Sequence, residues 1–207
     1  MNPDLAALAV HDLKNALGHL EAELVRLELN PQAQAARTAR QHCVQLRQRF
    51  VHFLVLYGVE SELKPHAQDE SPLGLLAQLA EQSAYYGAQV PTAVVQQDLA
   101  PPFWFFDLRL VRLAMDAALD NAWRFAQSGV ELSARVTDGY LVLTVDDDGP
   151  GLQNPQLHLG AVSDWSTGLG CQLGAAVARA HEHAGRFGRA ELKNRPQGGA
   201  RFELWLP

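Results

Sequence analysis

The chain has 207 residues, of which 47% are hydrophobic, so it can form one ordinary domain plus a small one with a buried core. Its net charge of −6 argues against nucleic acid as the main partner, because phosphate contacts need clustered lysines and arginines. No run approaches the roughly 20 apolar residues of a membrane span, and the first residues lack the pattern of a signal peptide. We therefore expect a cytoplasmic protein outside the membrane.

Two heptad seams near the start of the chain predict two long helices over residues 1–59. The turn between them contains Asn30-Pro31, which predicts an N-cap followed by a first-turn proline. The helices then form an antiparallel hairpin, and a hairpin alone leaves part of each seam in water. We therefore expect two copies to pair into a four-helix bundle, which makes the chain a homodimer. The first seam contains Val10, Leu13, Leu17, Leu20, Leu24 and Leu27, and the second contains Ala39, Cys43, Leu46, Phe50, Phe53 and Tyr57.

His11 lies on the outward face of the first predicted helix, roughly 150° from the mean direction of the seam. Asn15 follows one turn later on the same face, and Asp12 is adjacent in sequence. An exposed imidazole is a competent nucleophile toward a phosphoryl group, and a neighbouring carboxylate can take its proton or orient the ring. The alternative is an ordinary surface histidine.

Residues 60–70 are polar and predict a linker, after which residues 71–207 form a second domain. We expect this domain to be an α/β sandwich, so that the chain as a whole is α+β. Its predicted elements are a helix from Ser71-Pro72, a strand around residues 90–97, a helix ended by Gly129, a hairpin through Asp138-Gly139, a helix from Leu173 to Ala184, and a last strand pair joined by Gln197-Gly198-Gly199.

Asn121 and Arg124 lie on the predicted helix that ends at Gly129. An amide oxygen on a helix flank can bind Mg²⁺, and an arginine almost one turn later can pair with phosphate. The alternative for both residues is a solvated polar helix face.

The second candidate stretch is Asp147-Asp148-Gly149-Pro150-Gly151, which follows an alternating, β-rich run. A buried carboxylate at Asp147 needs a hydrogen-bond donor, and the amino group of adenine is a suitable one. Gly149 and Gly151 allow the backbone to approach a flat ring closely. An ordinary turn rich in Asp, Gly and Pro is the alternative.

The third stretch is Thr167-Gly168-Leu169-Gly170, which precedes the predicted helix from Leu173. The amides and positive dipole end of such a helix can bind phosphates. The spacing fits neither a dinucleotide fingerprint nor a P-loop. Glycine-rich loops also occur at helix ends without any ligand.

Taken in this order, the three stretches resemble the N, G1 and G2 boxes of the histidine-kinase branch of the Bergerat-type ATPases. Residues 11–15, His-Asp-Leu-Lys-Asn, are similar to the H box of the same kinases. The resemblance covers nearly the whole chain and implies ATP and Mg²⁺ as ligands. Asn121 is then the metal ligand, Asp147 binds adenine, and Arg124, Thr167 and the glycines Gly149, Gly151, Gly168 and Gly170 surround the nucleotide.

The same resemblance implies that His11 is the phosphoacceptor and Asp12 its base, while Asn15 orients a water for dephosphorylation of a partner aspartate. The chain departs from the family at Ala117, four residues before Asn121, where a polar side chain is usual. The loop from Gln153 to Trp165 is short for an ATP lid, and His11 lies so near the first residue that we expect no sensor domain.

These features give one leading function and two alternatives. The leading function is a sensorless histidine kinase that phosphorylates His11 from ATP and passes the phosphoryl group to the receiver domain of a response regulator. The first alternative is a histidine phosphotransferase or response-regulator phosphatase with a degenerate ATP-binding domain. The second is a non-enzymatic dimeric adaptor that docks through the helical hairpin.

Overall fold

The computed structural model describes residues 3–58, 65–85, 90–152 and 169–207. The chain divides into two compact units, Met1–Glu62 and Leu63–Pro207. The first unit contains only helices among its described residues, and the second contains both helices and strands. The α+β class predicted from the sequence is confirmed.

The first unit is a hairpin of two helices, α1 (Pro3–Leu29) and α2 (Ala33–Gly58). Leu20 and Ala39 are buried between the helices, as expected for the two seams. Nδ1 of His42 on α2 lies 2.8 Å from Oε1 of Glu23 on α1, which adds a polar contact across the hairpin.

The turn between the two helices differs from the prediction that Asn30 caps the second helix. The Asn30 amide donates to the carbonyl of Arg26 at 2.9 Å, which closes the last turn of α1. The Ala36 amide instead donates to the carbonyl of Gln32 at 2.9 Å. Asn30 therefore closes α1, and Gln32 takes the cap position that was predicted for Asn30. Pro31 lies in the turn between the helices.

The second unit is built around a five-stranded sheet with strand order β2-β4-β5-β9-β8. Two further pairs of short strands, β1 with β3 and β6 with β7, lie outside it. The elements are β1 (Gln68–Glu70), α3 (Pro72–Tyr85), β2 (Thr92–Val94), β3 (Trp104–Phe106), α4 (Leu108–Phe125), β4 (Val130–Thr137), β5 (Tyr140–Asp147), α5 (Leu169–Ala180), β6 (Glu182–His183), β7 (Arg186–Phe187), β8 (Arg189–Asn194) and β9 (Ala200–Leu206).

The two faces of the sheet have opposite chemistry because side chains alternate along each strand. One face is apolar and packs against the helices: a Cβ at Gly174 of α5 would lie 2.7 Å from the Phe202 ring. The other face is polar, and its Glu203 is fully buried beneath Arg135 and Lys193, which lie 2.9 and 2.7 Å from the carboxylate. The pKa of Glu203 is below its usual value: burial raises it, but the hydrogen bonds from Lys193 and Arg135 outweigh that effect.

Several element bounds differ from the prediction. The end of the segment predicted as a linker forms β1, which pairs with β3, so residues 68–70 belong to the second unit. Helix α5 runs from Leu169 to Ala180 instead of from Leu173 to Ala184. Beyond it, Ala184 and Gly185 both adopt positive φ and turn the chain into the β6–β7 hairpin. His183 is therefore on a strand and not on a helix.

Across the described ranges, no helix is both long enough and apolar enough to cross a lipid bilayer.

Candidate functional site

Three consecutive aspartates, the last two residues of β5 and the residue after it, point to three different places. Strand alternation directs Asp146 to the polar face of the sheet, where Arg201 binds it with Nε at 2.7 Å and Nη2 at 2.5 Å. Asp147 points to the helix side and is 7% exposed. Asp148 has left the strand and turns toward the end of α4. The run therefore supplies one carboxylate to each of three separate environments.

The Asp147 carboxylate is held by one backbone amide just beyond its own strand and by one at the start of the neighbouring β9. Its Oδ1 accepts hydrogen bonds from the amide of Gly149 at 2.8 Å and from the amide of Ala200 at 3.3 Å. Its own carbonyl accepts from Nη1 of Arg195 at 2.9 Å. Both side-chain bonds end on the same oxygen, so the orientation of the carboxylate is fixed while Oδ2 keeps acceptor capacity.

Asp148 binds the loop that connects α4 to β4. Its carboxylate accepts from the backbone amides of Gln127 and Ser128 and from the Ser128 hydroxyl. The Ser128 hydroxyl, followed by the Ser128, Gln127 and Gly129 amides, holds the pKa of Asp148 well below its usual range. This anion ties the carboxyl end of β5 to the carboxyl end of α4.

The two glycines after Asp148 make close contacts within the chain itself. A Cβ at Gly149 would lie 2.3 Å from the carbonyl oxygen of Phe125, the last residue of α4. Gly151 has φ of +73°, and a Cβ there would lie 2.8 Å from Oδ1 of Asn194. That oxygen accepts from the Leu152 amide at 2.6 Å, so the loop is fixed to β8. Phe125 and Asn194 therefore limit the space at these two glycines, while their predicted approach to a flat ring stays a prediction.

Asn121 lies on α4, one turn before the helix ends, and is half-buried. Within the described ranges, no hydrogen bond engages its side-chain amide, so the amide oxygen is available as a hard ligand. Arg124 is exposed in the last turn of the same helix. Ala117, one turn before Asn121, offers no side-chain oxygen.

One amide oxygen suits Mg²⁺ bound together with a nucleotide. This ion usually keeps several waters and is held by one or two protein ligands plus substrate phosphates. Asn121 provides such a ligand, and no group of three or more metal-binding side chains occurs among the described residues. The donor set therefore fits a metal carried by a phosphate ligand better than a metal enclosed by protein.

Of the third stretch, Thr167 and Gly168 lie outside the described residues. Gly170 lies in the first turn of α5, which begins at Leu169. A helix is thus present, but it starts at Leu169, four residues earlier than expected, so Gly170 is part of the helix instead of preceding it.

The three candidate residues of the first unit lie together on α1. His11 and Asp12 are both exposed, with 65% and 66% of their side-chain surface accessible. Nδ1 of His11 lies 3.6 Å from Oδ1 of Asp12 and 3.3 Å from Nδ2 of Asn15. The ring is therefore accessible to a reactant while two polar neighbours contact the same nitrogen.

A second polar cluster in the second unit was not predicted from the sequence. The Asp107 carboxylate caps α4 by accepting from the amides of Arg109 and Leu110, and it also accepts from the His66 amide at 2.8 Å. Burial raises the pKa of Asp107, but the hydrogen bonds from Arg109, His66 and Leu110 prevail and lower it. An aspartate before an apolar run is a helix-start signal that identifies the cap, but not its contact with His66.

The sequence of the second unit matches a known family. Residues 106–207 match the model described as histidine kinase-, DNA gyrase B-, and HSP90-like ATPase. This match contains α4, the acidic end of β5 and the β8–β9 hairpin, which together form the site above. Residues 106–207 belong to this ATPase family. The resemblance inferred from the sequence is confirmed, and the chain is related to two-component sensor histidine kinases.

Individual relatives extend this result. Sensor protein RstB of Escherichia coli (strain K12) is 35% identical over 109 residues, which cover 49% of this chain and 25% of RstB. The ATP-binding domain of PrrB from Mycobacterium tuberculosis is 28% identical, with a TM-score of 0.56, over 68% of this chain and 96% of that one.

A third comparison concerns the fold alone. Acinetobacter baumannii histidine kinase AdeS has a TM-score of 0.67 at 18% identity and covers 95% of this chain and 96% of that one. This likeness includes the helical hairpin as well as the ATPase domain. The chain spans a quarter or less of the length of the curated relatives it matches.

Proposed function

We propose that the protein is an ATP-dependent protein-histidine kinase that phosphorylates His11 and transfers the phosphoryl group to an aspartate of a response regulator. The observation that carries the proposal is the buried Asp147 carboxylate at the end of β5, fixed through Oδ1 by the Gly149 and Ala200 amides. A carboxylate held in this way recognises a base that presents an amino group. Its position in an ATPase-family domain makes adenine the base.

The phosphates and their metal are assigned to α4 and α5. The Asn121 amide oxygen would hold Mg²⁺, which when bound offsets the negative charge of the phosphates. Arg124, exposed in the last turn of α4, is available to pair with a phosphate oxygen. Thr167, Gly168 and Gly170 would cover the phosphates near the start of α5, where backbone amides favour anions.

The reaction at His11 is an in-line phosphoryl transfer. Nε2 of the neutral ring forms a bond to the γ-phosphorus while the bond from that phosphorus to the bridging oxygen breaks, and ADP leaves; the ring must then lose its Nδ1 proton. Asp12, whose Oδ1 lies 3.6 Å from Nδ1, accepts the ring proton. Asn15 is assigned to a separate reaction, in which it orients a water that attacks the phosphorylated aspartate of the regulator and releases inorganic phosphate.

Exposed apolar side chains on the hairpin support a homodimer. Leu17 and Leu24 of the first seam are each 48% exposed, and Phe50 of the second seam is 50% exposed. Apolar side chains at seam positions on both helices are buried when two hairpins form a four-helix bundle. The proposed assembly is therefore a dimer through residues 1–59, and its proposed location is the cytoplasm, where response regulators act.

Incubation of the protein with γ-labelled ATP and Mg²⁺ tests the proposal. The expected product carries an acid-labile label that is lost in His11→Ala and retained in His19→Ala, an exposed histidine of the same helix. Omission of Mg²⁺ or the substitution Asn121→Ala should reduce labelling. A label that persists in His11→Ala, or no label with any divalent cation, contradicts the proposal.

A second candidate, a phosphotransferase or phosphatase with weakened nucleotide binding, is favoured by Ala117, which provides no side-chain oxygen beside Asn121. Calorimetry with ADP and Mg²⁺ separates the two. Binding that is abolished by Asp147→Asn supports the kinase. Absence of binding, together with phosphoryl transfer between His11 and a phosphorylated receiver domain, supports the second candidate.

A further inference from the structure

Arg195, in the turn between β8 and β9, contacts the backbone that carries Asp147. Its Nη1 donates to the Asp147 carbonyl at 2.9 Å, and its Nη2 donates to Oε2 of Glu131 on β4 at 3.3 Å. Its Nε lies 3.5 Å from Oδ2 of Asp146, and the side chain is only 13% exposed. One guanidinium therefore spans from the β8–β9 turn across the ends of β5 and β4.

The backbone of Arg195 also closes the turn that supplies the other contacts to Asp147. Its amide donates to the Gly199 carbonyl at 3.0 Å, and its carbonyl accepts from the Gly198 amide at 3.1 Å. In the turn closed in this way, Gly199 lies directly over Asp147, where a Cβ would be 1.9 Å from the Asp147 carbonyl oxygen. The next residue, Ala200, donates its amide to Asp147 Oδ1.

Two buried carboxylates at this end of the sheet need positively charged partners. Asp146 and Asp147 are adjacent carboxylates that are 5% and 7% exposed. Arg201 binds Asp146 bidentately, and these contacts with Asp146 raise the pKa of Arg201. Arg195 adds a second positive charge beside both aspartates. Its planar fork donates to the Asp147 carbonyl and to the Glu131 carboxylate at once and keeps its charge beside Asp146, which a lysine ammonium on a flexible stem does not reproduce.

We propose that Arg195 is a positioning residue for the nucleotide site and determines the selectivity for adenine. It acts through Asp147: by fixing the carbonyl of Asp147 and the turn that donates to Oδ1, it holds Oδ2 toward the amino group of the base. Arg195 itself does not contact the nucleotide. This inference rests on the proposed function, because it assumes that Asp147 binds adenine.

The test compares two nucleotides bound to the full chain: ATP and purine riboside triphosphate, which lacks the exocyclic amino group. Wild-type protein is expected to prefer ATP. Arg195→Gln should weaken ATP binding about tenfold and change binding of the analogue less than about twofold. Arg195→Lys keeps the positive charge beside Asp146, so this variant should fold. It should lose a similar part of the preference for ATP over the analogue. Asp147→Asn combined with Arg195→Gln should be no worse than Asp147→Asn alone, because both act on one contact.

Arg189→Gln is the matched control. This arginine lies on the same polar face, stacks on Trp205 at 3.7 Å and pairs with Glu191 at 2.8 Å, away from Asp147. The control should leave both affinities unchanged. The inference is overturned if Arg195→Gln and Arg195→Lys weaken binding of both nucleotides equally, or if both variants keep the preference for ATP. In either case the proposed function is still supported by a preference for ATP that is present in the wild type and lost in Asp147→Asn. A wild type that binds neither nucleotide overturns both.

Discussion

The Asp107 amide donates a hydrogen bond to Nε2 of His181 at 3.0 Å, joining two residues 74 positions apart in the sequence. Nδ1 of the same ring lies 2.8 Å from the carbonyl of Val177. Because Nε2 accepts a hydrogen bond, Nδ1 carries the proton and donates it, so the ring is neutral. His181 thereby connects the start of α4 with the end of α5, and Asp107 extends the connection to His66.

The first prediction concerns the pH dependence of stability at His181. Burial lowers the pKa of this ring below its ordinary 6.5, although the bond to Val177 and the charge of Asp107 act in the opposite direction. The unfolded chain then binds a proton more readily than the folded chain. The free energy contributed by the neutral ring is therefore fully present above about pH 6.5 and is lost as the pH falls through the lowered pKa.

Thermal unfolding of the full chain between pH 5 and pH 8 measures this effect. His181→Gln should lower the free energy of unfolding at pH 8 by about 1–3 kcal/mol, because buried groups lose their partners, and should flatten the decline toward pH 5. His183→Gln, at an exposed residue of β6, should change neither quantity. An equally steep decline in His181→Gln would show that other groups produce it.

The second prediction compares two neighbouring glycines. Gly198 and Gly199 have φ of +95° and +87°, so alanine is strained at both. A Cβ at Gly198 meets nothing within 4 Å, whereas one at Gly199 lies 1.9 Å from the Asp147 carbonyl oxygen. Gly198→Ala should reduce the unfolding free energy by about 1–2 kcal/mol and retain nucleotide binding. Gly199→Ala should reduce it further and abolish binding, as measured by urea unfolding and calorimetry. Equal effects would contradict the clash.

The third prediction concerns the Asp148 contact with the loop before β4. Its carboxylate accepts from Gln127 and Ser128, and these bonds lower its pKa, so the stabilisation is present at neutral pH and is lost only as the pH falls through that lowered pKa. Asp148→Ala should reduce Tm at pH 7 and move acid unfolding to a higher pH. Asp148→Asn should reduce Tm by a smaller amount. Asp98→Ala, at an exposed aspartate, is the control, and an effect there of the same size would remove the basis of this prediction.

Local signals in the sequence predicted the elements that depend on local physics. The Asp138-Gly139 turn forms because both residues adopt positive φ, and α4 spans the predicted apolar run. The short strand pairs were missed because three or two residues carry no measurable periodicity. Their pairing is decided by tertiary contacts, such as that of Gln68–Glu70 with Trp104–Phe106.

In the candidate site, too, the features that depend on local sequence were predicted and those that depend on tertiary contacts were not. The position of Asp147 at a strand end was predicted from the alternating run before it. Arg195 was not predicted, because its bond to the Asp147 carbonyl joins residues 48 apart and no short motif connects them. The glycines after Asp148 were predicted to allow close approach to a flat ring. The Phe125 carbonyl, which leaves no space for a Cβ at Gly149, becomes apparent only in three dimensions.

The order β2-β4-β5-β9-β8 puts the strand that is last in the described sequence inside the sheet, hydrogen-bonded on both edges. During synthesis, one edge of β5 stays unpaired until residues 200–206 have left the ribosome. A chain terminated by a nonsense codon before Gly199 would lack both the covering strand and the amide that holds Asp147. We therefore expect such products to be removed by proteolysis or to aggregate through that edge, and not to persist as partial ATPases.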